Sequence, residues 1–168
     1  PTFMGAHDVP KEYKDKKSAY LDLLIDTLIP AVARRGLAEF FDVFCEEGVF
    51  SVEETRRLAE AARAAGFKIR IHADEFAALG GAALAVEVGA ASADHLLAVT
   101  PEGIRALAGS ETAATLLPGV SFFLMSDKRA PARQLIEAGA AVALASDFNP
   151  GSSMVGSMLF VVQLGVYL

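Results

Sequence analysis

The sequence predicts an α/β fold built on a parallel sheet, and three observations point to it. Apolar strand-like runs alternate with longer segments of helical periodicity along the whole chain, the pattern of parallel strands joined by helical crossovers. Glu87-Val88-Gly89-Ala90-Ala91 is echoed by Glu137-Ala138-Gly139-Ala140-Ala141 and, more loosely, by Ala64-Ala65-Gly66-Phe67. Each reads as a helix end, a glycine cap and the start of a strand. The strands that follow end in His72, His95 and Asp147, none of which belongs in an apolar core. In barrels and open α/β sheets the carboxyl ends of parallel strands form the active-site face, so two imidazoles and a carboxylate are expected on one rim.

Taken in order, the expected strands are Pro1–Ala6, Phe41–Cys45, Phe67–Ile71, Ser92–His95, Val120–Leu124 and Ala141–Ser146. Between the first two, Leu21, Leu24, Ile25, Leu28 and Ile29 form a stripe of period 3.6 in a helix over Tyr20–Arg34, with a kink expected at Pro30. Ser51–Ala65 opens with Ser51 as N-cap and Glu54 as its capping-box partner, and Gly66 sits at the C-cap. Gly81–Val88 ends at Gly89. Thr100 caps a helix with Pro101 at its first position, running to Ala108. Ala130–Ala138 ends at Gly139. The closing apolar run, Met154–Leu168, is too short for a membrane span and reads as a core-facing helix. Lys11–Lys17 reads as a solvated loop. Val142-Ala143-Leu144-Ala145 is the near-continuous apolar run of a strand buried on both faces.

Composition bounds the function. The 168 residues carry 15 Lys+Arg against 21 Asp+Glu, a net charge of −6, with 53% hydrophobic residues. That is a globular composition with enough chain for one core. The acidic balance argues against nucleic acid or an anionic membrane as partner. The single cysteine, Cys45, excludes an intrachain disulfide and a Cys-rich zinc module; it reads as a small buried filler, and a reducing cytoplasm is the default location. A full (β/α)8 barrel takes about 250 residues, roughly 31 per unit, so a chain of this length holds about five to six units. The six strands are therefore an open sheet or most of a barrel. The start at Pro1 without Met, and the apolar run still in progress at Leu168, suggest a piece of a longer protein.

The chain's three histidines, His7, His72 and His95, all fall at expected strand ends. Imidazole is the commonest metal ligand, and Glu75, three residues after His72, can reach the same rim to exchange a proton with an activated water. His95 reads either as a core histidine after a turn-forming Asp94 or, beside His72, as a proton shuttle or oxyanion donor. Asp147, at the end of a buried strand, is costly there unless paired or metal-bound. Behind it, Asn149-Pro150-Gly151-Ser152-Ser153 is a turn whose amides could hold a carboxylate. No phosphate loop, GxGxxG or serine elbow is present.

Gly5-Ala6-His7, Asp42-Val43-Phe44-Cys45-Glu46, His72-Ala73-Asp74-Glu75, Ser92-Ala93-Asp94-His95-Leu96 and Asp147-Phe148-Asn149-Pro150-Gly151 together resemble the imidazolonepropionase family of the amidohydrolase superfamily. The resemblance implies a partial (β/α)8 TIM barrel of the metal-dependent hydrolase type, about strands 3 to 8, with residues 1–168 as its C-terminal part and the N-terminal part and the end missing. It implies one divalent metal, zinc or iron, held by His72 and Asp147. It implies hydrolysis of 4-imidazolone-5-propanoate to N-formimidoyl-L-glutamate in histidine degradation. Glu75 would contact the ring and help activate water, and His95 would assist proton transfer or bind the oxyanion. With Asp147, these would be the catalytic residues. His7 would bind substrate, and Asn149, Gly151 and Ser152 would hold its propanoate end. A homodimer is left open. The departure is that the chain has no His-x-His pair, so it holds two of the expected ligands where a catalytic zinc site usually has three. Two other readings stand: another cyclic amidohydrolase or deaminase of the superfamily, or a non-catalytic α/β module gripping a small anion.

Overall fold

Six strands lie parallel in a single sheet, in the same order as in the sequence. They are β1 (Thr2–Ala6), β2 (Phe40–Cys45), β3 (Lys68–Ala73), β4 (Ser92–His95), β5 (Ala113–Leu116) and β6 (Val142–Leu144). The computed structural model describes all residues, 1–168. Sequential order with a helical crossover between neighbours keeps the helices on one face and curls the sheet into an arc of a barrel. β1 and β6 are each paired on one side only.

Through β2 and β3, side chains alternate between the two faces. Phe41, Val43 and Cys45 of β2 and Ile69, Ile71 and Ala73 of β3 are essentially inaccessible and face the helices. Their alternates, among them Asp42, Arg70, His72, Asp94 and Thr115, line the concave face. In register, Asp42 lies beside Arg70 and His72 beside Asp94, so polar groups from three strands meet across the sheet.

The helices are α1 (Lys17–Leu23), α2 (Ile29–Arg34), α3 (Val52–Ala64), α4 (Gly81–Glu87), α5 (Pro101–Ala108), α6 (Pro118–Phe123), α7 (Ala132–Ala138) and α8 (Met158–Gly165). The capping box of α3 forms as expected, the Ser51 hydroxyl accepting from the Glu54 amide and the Glu54 carboxylate from the Ser51 amide. The Thr100 hydroxyl caps α5 at Gly103. The repeat is structural: Gly66, Gly89 and Gly139 all have positive φ. The amides that follow, on Phe67, Ala90 and Ala140, each donate back to the carbonyl five residues earlier. This closes the helix and aims the chain into the next strand. Cys45 is buried, and burial raises its thiol pKa.

Three expectations are corrected. Val120–Leu124 is not a strand. Its residues form the rest of α6 and its C-cap, behind Pro118 at the first helical position, where the missing N–H costs nothing. The fifth strand is Ala113–Leu116, whose Ala114 and Leu116 are fully buried. Short apolar runs carry no periodicity able to tell strand from helix. The interruption near Pro30 is not a break but a π turn over Leu24–Leu28, which joins α1 to α2. The Ile29 amide donates to the Leu24 carbonyl, five residues back, which absorbs the hydrogen bond that Pro30 cannot make. The last apolar run is helical only over Met158–Gly165 and is not core-facing along its length. Val161 is buried, whereas Leu159, Val162, Val166 and Tyr167 are exposed. No helix is long and apolar enough to cross a membrane.

Candidate active site

One cavity of about 350 Å³ at the carboxyl ends of the strands is lined by His7, His72, Glu75, His95, Asp147, Asn149 and Ser152, with Phe44, Phe76 and Met4 as its apolar wall. Of the residues expected from the sequence, only Gly151 stays outside this lining. The His7 and His72 rings meet edge to face at 4.5 Å, and His72 and His95 lie 4.9 Å apart.

His95 reaches the cavity by breaking the alternation of its strand. It pairs in register with Ala73, which faces the helices, so regular β geometry would bury it there. Its φ is 78°, a left-handed conformation uncommon outside glycine, and the ring sits over the rim instead. There it is 2% exposed, and neither ring nitrogen has a hydrogen-bond partner. Glu75 Oε1 stands 3.4 Å from Nδ1, and Asp147 Oδ2 stands 4.0 Å from Nε2. Burial, aided by His72, lowers its pKa to about 3, so the ring is neutral, with one donor and one acceptor.

Glu75 sits on a tightly held loop. The Asp74 carboxylate, itself buried, accepts from the amides of Gly80, Gly81 and Ala82 at the start of α4. On the other side Glu46, at the end of β2 and 3% exposed, accepts from the Phe76 and Ala77 amides. Burial raises the Glu75 pKa to about 7, with Asp147 and Glu46 adding repulsion against His72. A carboxyl poised near neutrality can both take and return a proton. Asp147 is likewise raised by burial.

The turn after Asp147 is satisfied internally. Asn149 Oδ1 accepts from the Gly151 and Ser152 amides, and Asn149 Nδ2 donates to the Asp147 carbonyl. These amides do not open a helix, because α8 starts at Met158 with Ser157 as its cap. They meet a carboxylate only if Asn149 releases them.

The residue that sequence reasoning missed is Asp42. It lies in the middle of β2, 4% exposed, and its Oδ1 is 3.1 Å from His7 Nε2 and 2.9 Å from His72 Nδ1. The three ligating atoms lie within 4.8 Å of one another, a spacing able to hold a metal ion. A charge at an alternate position of an otherwise apolar strand was the available signal, since a buried carboxylate needs partners. Burial pushes the Asp42 pKa up, but the bonds from His7 and His72 overcome it and hold the carboxyl well below its usual range. Burial likewise disfavours charged His72, but Asp42 outweighs it and raises the pKa to about 9.

That shift makes stability pH-dependent. A histidine raised from 6.5 to about 9 contributes stability that is complete below about pH 6.5 and lost as pH climbs through 9. Glu75 adds a loss of the same sign up to pH 7, whereas the depressed His95 acts on the other side, below pH 6.5. We therefore expect the metal-free chain to lose about 3 kcal/mol between pH 6.5 and 9, read from urea midpoints. Asp42→Asn should flatten the profile, and a midpoint constant over this range in the unaltered chain would contradict the pairing.

Comparison with known proteins fits this geometry. Over 165 residues, 98% of its length, the chain is 52% identical to an imidazolonepropionase of Alkaliphilus metalliredigens and 54% identical to one of Symbiobacterium thermophilum. In sequence it is a relative of the imidazolonepropionases. It spans 39% of the length of these curated relatives. No protein-family model matches it. Among solved structures, a guanine deaminase of C. acetobutylicum superposes with a TM-score of 0.70 at 13% identity, over 99% of this chain and 43% of that one. An adenine deaminase of Arthrobacter aurescens gives 0.69 at 16% identity, over 99% and 50%. The fold is thus the partial barrel that these two deaminases share. The motif segments that resemble imidazolonepropionases are the ones that build the cavity, from Gly5-Ala6-His7 to Asp147-Phe148-Asn149.

Proposed function

We propose that this chain supplies the working rim of an imidazolonepropionase, which hydrolyses the cyclic amide C–N bond of 4-imidazolone-5-propanoate to N-formimidoyl-L-glutamate. The observation that carries this reading is the convergence of His7, His72, Glu75, His95 and Asp147 on one cavity, in a chain about half identical to proteins of that name. Residues 1–168 would be the C-terminal part of the barrel, and two further metal ligands would come from a His-x-His pair outside them.

A divalent ion fits the residues present. Asp42 occupies Nδ1 of His72, which leaves Nε2 to bind, and Asp147 offers a carboxylate on the same cavity wall. This nitrogen and oxygen set suits zinc or iron. When bound, the ion would bring the pKa of water toward about 7 and polarise the substrate carbonyl. Glu75 then accepts a proton from the attacking water and returns it to the ring nitrogen that leaves. His95, neutral and unpartnered, donates to the oxygen that becomes negative. His7 holds the substrate ring, while Asn149, Gly151 and Ser152 take the propanoate once Asn149 gives up the two amides. The partner is this small molecule, with neither nucleic acid nor membrane, in the cytoplasm, as a monomer or homodimer.

The deaminases that share the fold supply the second reading, another cyclic amidohydrolase or deaminase. The test joins this chain to the N-terminal segment of the Alkaliphilus relative and follows loss of imidazolone absorbance beside ammonia release from guanine and adenine. Ring opening of imidazolone alone is expected. Ammonia release without imidazolone turnover would transfer the assignment to a deaminase.

A further inference from the structure

We infer that Asp42 is a positioning residue that fixes the tautomers of two rim histidines through a single carboxylate oxygen; its part in the reaction rests on the proposed function. An ionised carboxylate only accepts hydrogen bonds. The nitrogens facing Asp42 Oδ1, His72 Nδ1 at 2.9 Å and His7 Nε2 at 3.1 Å, must therefore both carry hydrogen. The consequence is opposite in the two rings. When neutral, His72 is held as the Nδ1–H form with Nε2 bare, and His7 as the Nε2–H form with Nδ1 bare. The bare nitrogens are the ones left to bind an ion and a substrate donor.

The placement follows from the sheet. His7 follows β1, Asp42 is central in β2 and His72 is near the end of β3, so the carboxylate sits between its two neighbours on the concave face. With 6% of its side chain exposed, Asp42 has little water to compete for its oxygens. The edge-to-face contact of the two rings leaves neither free to flip without breaking its bond to Asp42. Carboxylate partners of this kind raise the basicity of a ligating imidazole and set its direction. The rival for the same atoms is a cation clasped directly by His7 Nε2, Asp42 Oδ1 and His72 Nδ1. The two separations from Asp42 are hydrogen-bond distances, and the bonding they imply occupies the nitrogens such a cation would need.

The test is a long-range proton–nitrogen NMR spectrum of the full chain labelled with 15N in histidine, recorded near pH 10, above the pKa of His72. His72 is expected as Nδ1–H and His7 as Nε2–H. Asp42→Ala should convert His72 to the Nε2–H form, and Asp42→Asn, with a carbonyl oxygen in place of the carboxylate oxygen, should restore Nδ1–H. Dispersed methyl resonances establish that each variant is folded. A wild-type His72 in the Nε2–H form, or one unchanged by Asp42→Ala, overturns the inference. Zinc titration separates it from the functional reading. Zinc should shift His72 Nε2 and leave Nδ1–H intact, with about 10- to 100-fold weaker affinity in Asp42→Ala. Loss of Nδ1–H on zinc binding would establish the clasped cation and overturn the inference. If zinc leaves His72 unperturbed while the tautomers are as stated, the metal role of His72 fails and the positioning by Asp42 stands.

Discussion

Changing His72 to alanine, in a polypeptide that joins this chain to the N-terminal segment of a relative, should abolish near-stoichiometric metal and imidazolone turnover together. His72 is placed for this by β3, whose alternate residues Ile69, Ile71 and Ala73 anchor the strand in the core, and by Asp42 at 2.9 Å. A metal contributes several kcal/mol of transition-state stabilisation, so its loss should cost about a thousand-fold or more in rate. The expected order across proteins is informative. The 168-residue chain by itself should bind metal weakly and turn over little, because His72 and Asp147 are two ligands where about three are needed. The fusion should gain both properties, and the variant should lose both. Metal content and absorbance loss measured on the same samples check this, and turnover persisting in a folded His72→Ala fusion would falsify the assignment of His72.

Glu75→Gln should separate metal binding from proton transfer. Glutamine keeps the shape of the side chain and the loop held by Asp74 and Glu46, so metal content should stay at the level of the unaltered fusion. It can neither accept the proton of the attacking water nor deliver one to the leaving nitrogen, and kcat should fall by about 10²- to 10⁴-fold. Because burial raises the Glu75 pKa to about 7, the rate of the unaltered fusion should decline as pH falls through neutrality, where the carboxyl becomes protonated and ceases to act as a base. The variant should lack that limb. Equal loss of metal and rate in Glu75→Gln would instead make Glu75 part of the metal site.

The elements that were legible in the sequence are those with a local chemical reason. Ser51 and Glu54, Thr100 and Pro101, and the three glycine caps each fix a backbone position by their own side chain or by its absence. The rim was legible because His72, His95 and Asp147 interrupt apolar runs. Other features depend on groups remote in sequence. Ala113–Leu116 is a strand because β4 and β6 lie on either side of it, not because Ala-Ala-Thr-Leu prefers that form. Asp42 needed His7 and His72, 35 and 30 residues away, before its role could be seen. The engagement of the Gly151 and Ser152 amides by Asn149 is a matter of side-chain rotamer, which spacing does not encode.

The rim also carries a cost unrelated to chemistry. Asp74, His95, Leu96 and Asp147 all adopt positive φ, each a strain of about 1–3 kcal/mol that persists only where the surroundings over-determine it. Glycine would remove the strain at His95 and Asp147, whereas at Asp74 it would forfeit three amide bonds to the carboxylate and at Leu96 a fully buried side chain. Retaining an imidazole and a carboxylate at His95 and Asp147 exchanges resistance to unfolding for reactive groups held at a fixed angle. The helix-facing side of the same sheet, dense with Ile69, Ile71, Val43 and Leu116, is the reserve that makes the exchange tolerable.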